Sequence, residues 1–374
     1  MNKRILRAFG FLLLLFPLVS RAEGPLIQPP QQPATGPGGA RYSQAAVIKS
    51  VYGEGADQYW IFEPADPTPE SAPVIVFNHG WGATNPKTYG AWIEHIVRRG
   101  NIVIYPVYQE PGKWRYPTRQ ITPNAIRAVK NAIDRLQREG KIKPELDKFA
   151  IVGHSAGGQI TANMAALAGS VGLPEPGAIM CVQPGKSWSK SKKAAIPLED
   201  LSTIPESTLL LTVVGDRDNI ARDIDAKRIF NETSQIPFAN KDFVIVGSDD
   251  YGKPALIANH LAPVAPDENY DSGEKRESRK SDGRVRSRLR ERLKARIRER
   301  RESGNNDFPD LKNSSRSINA LDYYGFWKLF DGLYEAAFYS RNREYALGNT
   351  PRQRFMGKWS DGTPVKVLRV TDNP

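Results

Sequence analysis

Lys148-Phe149-Ala150-Ile151-Val152-Gly153-His154-Ser155-Ala156-Gly157-Gly158 sets a serine where an apolar run stops and a helical pattern starts. Phe149 to Val152 read as a buried strand, and Ile160, Met164 and Leu167 recur at helical spacing, so Ser155 falls on a sharp strand-to-helix turn. Small residues at Gly153, Ala156 and Gly157 let strand and helix approach closely, and such a turn exposes the serine hydroxyl. That hydroxyl is a weak nucleophile at neutral pH. It needs a base, usually a histidine held by a carboxylate, and N–H donors for the oxyanion that forms on attack.

Only four histidines are present. His79 lies in a glycine-rich turn, His95 in a helix-like stretch and His154 beside the serine, whereas His260 alone follows Ser155 in the order nucleophile, acid, histidine expected of this turn. His260 is therefore the expected base, and His79 is expected to be structural. The acid belongs after a strand between the two. Thr208 to Val214 is an apolar, β-branched run that releases Gly215-Asp216-Arg217-Asp218 into a loop. Asp218 is preferred because the Gly-x-x-Asp spacing sets it three positions past the glycine, which lets the chain bend toward the histidine; Asp216 is the alternative. Whichever aspartate is not the acid is a turn or cap residue. For the oxyanion, Ala156 supplies one N–H. The turn Asn78-His79-Gly80-Trp81-Gly82, after the strand Pro73 to Phe77, supplies another from Trp81 or Gly82, with Trp81 preferred. The Trp81 indole either lines the entrance, where it would stack on substrate, or packs against a neighbouring loop.

With these residues the chain resembles the α/β-hydrolase superfamily, and within it the dienelactone-hydrolase-like, chlorophyllase-like and bacterial cutinase or polyester-hydrolase-like proteins. The resemblance rests on His79-Gly80-Trp81-Gly82, Gly153 to Gly158, Gly215 to Asp218 and His260, spread over residues 48 to 265. It implies a Ser-Asp-His esterase fold and mechanism. Two features depart from it: dienelactone hydrolases carry a cysteine where Ser155 stands, and the single cysteine here cannot form the C-terminal disulfide usual in secreted polyester hydrolases.

The elements around these residues suit that implication. Further strands are read at Asp57 to Phe62, Asn101 to Val107, Ala178 to Val182 and Phe243 to Val246, with helices at Tyr89 to Arg99 and Pro123 to Arg138. Strands alternating with helices predict an α/β domain with a mostly parallel central sheet and helices on both faces. Sites in such sheets form at the C-terminal strand ends, where Trp81, Ser155 and Asp218 all fall. Residues 184 to 206 are short for an enclosing lid, so an open cleft is expected, with Trp188 either contacting substrate or packing at the surface.

The chain of 374 residues is ample for one large domain with a full core. Lys3, Arg4 and Arg7 precede an apolar run from Phe11 to Val19, and Ser20-Arg21-Ala22 offers small residues to a peptidase, so residues 1–22 read as a secretory signal peptide. The run is too short for a membrane anchor and is broken by Pro17. A secreted or periplasmic protein follows, in which Cys181 is a buried core residue. Residues 23–47 are rich in proline and glycine and read as a flexible leader to a catalytic domain at 48–374.

A charged insertion is expected at 265–312. Its Glu274 to Glu302 stretch carries most of the formal net charge of +12, so the basic balance does not make the catalytic domain a nucleic-acid binder. Val285, Leu289, Leu293 and Ile297 make a narrow apolar stripe among its arginines, which suits a basic helix at an anionic surface or a solvated, disordered segment. Tyr323, Trp327, Phe330 and Tyr334 predict a final core helix, and Asp361-Gly362 a turn before a short hairpin or extended tail.

The function expected is hydrolysis of a small or polymeric ester by a monomeric serine esterase without metal or organic cofactor, since no Cys/His or paired-carboxylate spacing suggests a site. Dehalogenase chemistry would need a carboxylate in place of Ser155. The alternatives are a non-catalytic protein that holds anionic surfaces through the basic insertion, and a serine peptidase or acyltransferase using the same triad.

Overall fold

The computed structural model describes residues 26–113, 116–185, 195–273 and 318–374. The expected signal peptide, Trp188 and the basic stretch 274–302 lie outside the described residues. Among the described residues nine strands form one sheet in the order β1-β2-β4-β3-β5-β6-β7-β8-β9. They are β1 (Ala46–Tyr52), β2 (Tyr59–Ala65), β3 (Ser71–Asn78), β4 (Ile102–Pro106), β5 (Lys143–His154), β6 (Ala178–Val182), β7 (Leu209–Gly215), β8 (Lys241–Val246) and β9 (Arg369–Thr371). The six from β4 through β8 run parallel; β1, β2 and β9 are antiparallel to their neighbours. A parallel sheet must be covered on both faces, and this explains why its strands read as continuous apolar runs.

Side chains alternate across each strand and so divide the core in two. On one face Ile75, Phe77, Val103, Val152, Met180 and Val213 pack under α1 (Gly90–Arg98) and a late helix. On the other Val74, Val76, Ile104, Ile151, Cys181 and Leu210 pack under α2 (Thr118–Glu139) and α3 (Ala156–Val171). Helix α4 (Ile224–Glu232) follows β7. The late helix enters through a π-helical stretch, Leu321–Trp327, and continues as α5 (Lys328–Tyr339). Trp327, Phe330 and Tyr334 are buried as expected, whereas the wider π turn leaves Tyr323 only partly covered. Helix α2 starts five residues before Pro123, which it carries internally.

Two expected boundaries change. The leader carries no regular element from residue 26 to 45 and its last two residues open β1, yet it is not loose: Gly38 N–H donates to the buried Asp331 carboxylate at 2.7 Å, and Ile27 C=O accepts from Lys253 N–H at 2.8 Å. Backbone groups, more than side chains, tie it down. The expected insertion also begins too early at 265, because Ala265 and Tyr270 belong to the core and Ala265 C=O accepts from Ala91 N–H at the start of α1. At the C-terminus, Trp359 N–H reaches Thr363 C=O around Asp361-Gly362, and β9 then pairs with β8.

Candidate active site

Ser155 lies between the end of β5 and the start of α3 with φ 57° and ψ −121°. A non-glycine residue there is strained by roughly 1–3 kcal/mol and persists only where its surroundings over-determine it. Here they do. Ser155 N–H donates to Val182 C=O on β6 at 2.9 Å, and Ser155 C=O accepts from Gly158 at 2.9 Å and from Gly185 at 3.2 Å. Glycine is required at two flanking positions: a Cβ on Gly153 would fall 2.2 Å from Gly157 O, and one on Gly157 would fall 2.1 Å from Asn78 O. The close approach of β3, β5 and α3 thus presses the serine into its turn.

Three loops converge on it. His260 Nε2 is 2.9 Å from Ser155 Oγ, and His260 Nδ1 is 2.8 Å from Asp218 Oδ2. Asp218 Oδ1 accepts from the N–H groups of Ile220 at 2.8 Å and Ala221 at 3.0 Å. Burial pushes the Asp218 carboxyl up, but the hydrogen bond and charge of His260, with these two N–H groups, outweigh it and hold the group below the usual carboxylate range. An ionised Asp218 fixes the proton of His260 on Nδ1, which leaves the Nε2 lone pair toward the serine hydroxyl.

Asp216 faces elsewhere. Its carboxylate accepts from Ser248 N–H at 2.9 Å and Ser248 Oγ–H at 2.6 Å, while Ser248 Oγ accepts from Ala258 N–H at 2.9 Å. Ala258 C=O in turn accepts from Arg217 N–H at 3.1 Å, and a Cβ on Gly215 would lie 2.1 Å from that carbonyl. The loop after β7 and the loop bearing His260 are therefore locked together. Ser248, absent from the sequence reading, closes the lock.

In the turn after β3, Gly82 N–H donates to the buried Gln109 Oε1 at 2.8 Å and Gly80 N–H to Tyr89 Oη at 3.0 Å. Gly80 C=O accepts from Ala83 N–H at 3.0 Å; because the peptide is planar and trans, this fixes the Trp81 N–H in the opposite direction. A Cβ on Gly80 would stand 3.5 Å from Ser155 Cβ, so the turn abuts Ser155. Ala156 is the first residue of α3, and its N–H has no carbonyl four residues back within the helix. The Trp81 ring is partly buried and packs against the α2/α3 side of the core.

The remaining histidines have other partners. His79 lies between the carbonyls of Gly80 and Val107, at 2.7 and 2.8 Å, and stacks on Tyr108. His95 meets Asp331 at 2.8 Å in a buried cluster with Arg99. His154 bonds Tyr89 and Gln183, neither of which the sequence singled out. Their one legible trait was position, since Gln183 directly follows β6 as Ser155 follows β5. Cys181 is buried and free, and burial pushes its thiol well up. Among the described residues no helix is long and apolar enough to cross a membrane.

Residues 75–251 match a family model described as an alpha/beta hydrolase fold, a span that contains Ser155 and Asp218 and stops short of His260. No curated protein matches the chain. The match and the strand order agree: this chain carries the fold of the α/β-hydrolase superfamily.

Proposed function

We propose that the chain is an exported serine hydrolase that cleaves carboxylic esters through Ser155, His260 and Asp218. The observation that carries this reading is the pair of hydrogen bonds on His260, 2.9 Å to Ser155 Oγ and 2.8 Å to Asp218 Oδ2, which hold one imidazole between hydroxyl and carboxylate. As Ser155 Oγ attacks the ester carbonyl carbon, its proton passes to His260 Nε2, and Asp218 stabilises the imidazolium. The carbonyl oxygen becomes an oxyanion received by the N–H groups of Ala156 and Trp81. Collapse breaks the carbon–oxygen bond to the alcohol, which leaves with the proton from His260. Water, deprotonated by the same imidazole, then attacks the acyl-enzyme and releases the acid. Export rests on the charged and apolar pattern of residues 1–22. Trp81, and Trp188 in the segment after β6, are the side chains proposed to contact the ester.

Hydrolysis of short p-nitrophenyl esters by the mature protein tests this directly. Ser155→Ala and His260→Ala are each expected to lower kcat by roughly four to six orders of magnitude. An unmutated protein without activity, or a Ser155→Ala protein that matches it, would reject the reading.

A further inference from the structure

Below the Ser155 turn lies a second set of buried polar groups that the proton transfers above leave unused. Gly80 N–H donates to Tyr89 Oη at 3.0 Å, and Tyr89 Oη is 2.8 Å from His154 Nδ1. His154 Nε2 is 3.2 Å from Gln183 Oε1, and Gln183 Nε2 donates to Asn259 C=O at 2.9 Å. The two ends fix every polarity between them. A backbone N–H can only donate and a carbonyl can only accept. Gln183 must therefore turn its NH2 to Asn259 and its oxygen to His154, which places the His154 proton on Nε2. His154 Nδ1 is then an acceptor, and the Tyr89 hydroxyl donates to it while accepting from Gly80.

Each end of this chain touches a different moving part of the proposed reaction. Gly80 immediately precedes Trp81 in the oxyanion turn, Asn259 immediately precedes His260, and His154 immediately precedes Ser155. We infer that His154, through Tyr89 and Gln183, is a positioning residue that ties the oxyanion turn and the base-bearing loop to the strand end carrying the nucleophile. This inference rests on the esterase reading.

The surroundings of His154 suit such a role. Its ring lies 4.9 Å, centroid to centroid, from that of His260, the imidazole proposed to become cationic in each half-reaction. Burial pushes the His154 pKa down to about 3 and the His260 charge adds to this, against smaller opposing effects of Asp218 and Gln183. A neutral neighbour does not repel the imidazolium, and it keeps one acceptor and one donor for its two partners. His154 and Gln183 are both buried, so their hydrogen bonds have no water to replace them.

Tyr89→Phe and Gln183→Met cut the chain on either side of His154 while preserving side-chain size. The two variants and their double would be assayed for kcat and KM on p-nitrophenyl acetate and for thermal melting. The rate of p-nitrophenolate release from diethyl p-nitrophenyl phosphate, which phosphorylates the nucleophilic oxygen and expels p-nitrophenolate, would be measured beside them. Each single change is expected to lower kcat and the phosphorylation rate about tenfold to a hundredfold, as small misplacements of reacting groups do, with KM altered less than about twofold. The double variant is expected to lose little more than the more impaired single variant, because one break already severs the chain.

Wild-type kcat and phosphorylation rate in both folded single variants would overturn the inference, even with a lowered melting temperature, since that is the signature of a purely structural role. Losses that multiply in the double would also overturn it, assigning two separate local bonds. Should one variant fail to fold, the other decides by its kcat and phosphorylation rate. If Ser155→Ala abolishes phosphorylation while Tyr89→Phe and Gln183→Met react normally, the positioning role fails alone. If the unmutated protein neither hydrolyses nor is phosphorylated, the esterase reading fails and takes the inference with it.

Discussion

Two aspartates, two positions apart after the same strand, have different work because their carboxylates point to different partners. Asp218 lies against His260, whereas Asp216 joins the loop after β7 to the loop after β8 through Ser248. Asp218→Asn should therefore fold normally and lose about four orders of magnitude in kcat, the scale seen when the orienting acid of such a triad is removed. Asp216→Asn should keep kcat within about tenfold at a temperature well below melting and lower stability by about 0.5–1.5 kcal/mol, the net worth of hydrogen bonds that are only partly buried. Ester kinetics beside urea unfolding would separate them, and the reverse pattern would exchange the roles. The sequence pointed to Asp218 by spacing alone and kept Asp216 open, because spacing says how far a loop reaches but not where Ser248 waits. Tyr89 and Gln183 were less legible still. An isolated tyrosine or glutamine has no pattern, and its meaning arises only when distant segments meet.

At the scale of elements, the parallel strands were readable because burial on both faces leaves only apolar runs. Ala178–Val182 matches its expected bounds. Strand β1 was not read: it lies at the sheet edge with no fully buried residue, so neither alternation nor a continuous run marks it. The π turn at Leu321–Trp327 was likewise invisible, since the aromatic stripe fits ordinary helical spacing until one residue is added to the turn. One close approach between elements is at Gly157, where α3 meets the end of β3. Gly157→Ala would force a methyl group to within 2.1 Å of Asn78 O, which neither backbone can yield without opening the turn at Ser155. A loss of about 1–3 kcal/mol in stability is expected, together with reduced ester hydrolysis. An alanine protein as stable and active as the parent would show that the two backbones have room to separate.

For the whole molecule, the core also contains charge-capable groups whose titration opposes the fold. Asp322 is fully buried with one carboxylate oxygen unpartnered among the described residues, and burial pushes its pKa up to about 8 despite the N–H donated by Asn319. In the folded chain it holds its proton from its ordinary value of 3.8 up to about 8, while in the unfolded chain it has already released it. Its contribution is therefore fully present below that ordinary value and declines as pH rises, by about 1.4 kcal/mol per unit. His154 acts in the opposite sense: unfolded imidazole takes a proton near 6.5 and the buried one only near 3, so acid weakens the fold through it. Asp322→Asn should gain stability relative to the parent steadily between pH 5 and 8. Urea midpoints measured at each pH that stay a constant distance apart would refute this.

The leader that proline and glycine made look loose has one more consequence, for the order in which the chain acquires its shape. Gln28 N–H reaches Ser360 Oγ, Ser360 N–H returns to Gln28 C=O, and Pro30 packs on Gly357. The first described residues thus clasp a segment more than three hundred positions later, and Gly38 waits for Asp331. During synthesis these partners do not yet exist, so the clasp closes only after nearly the whole polypeptide has emerged. The leader therefore stays unanchored through most of synthesis and is fixed in place only at its end.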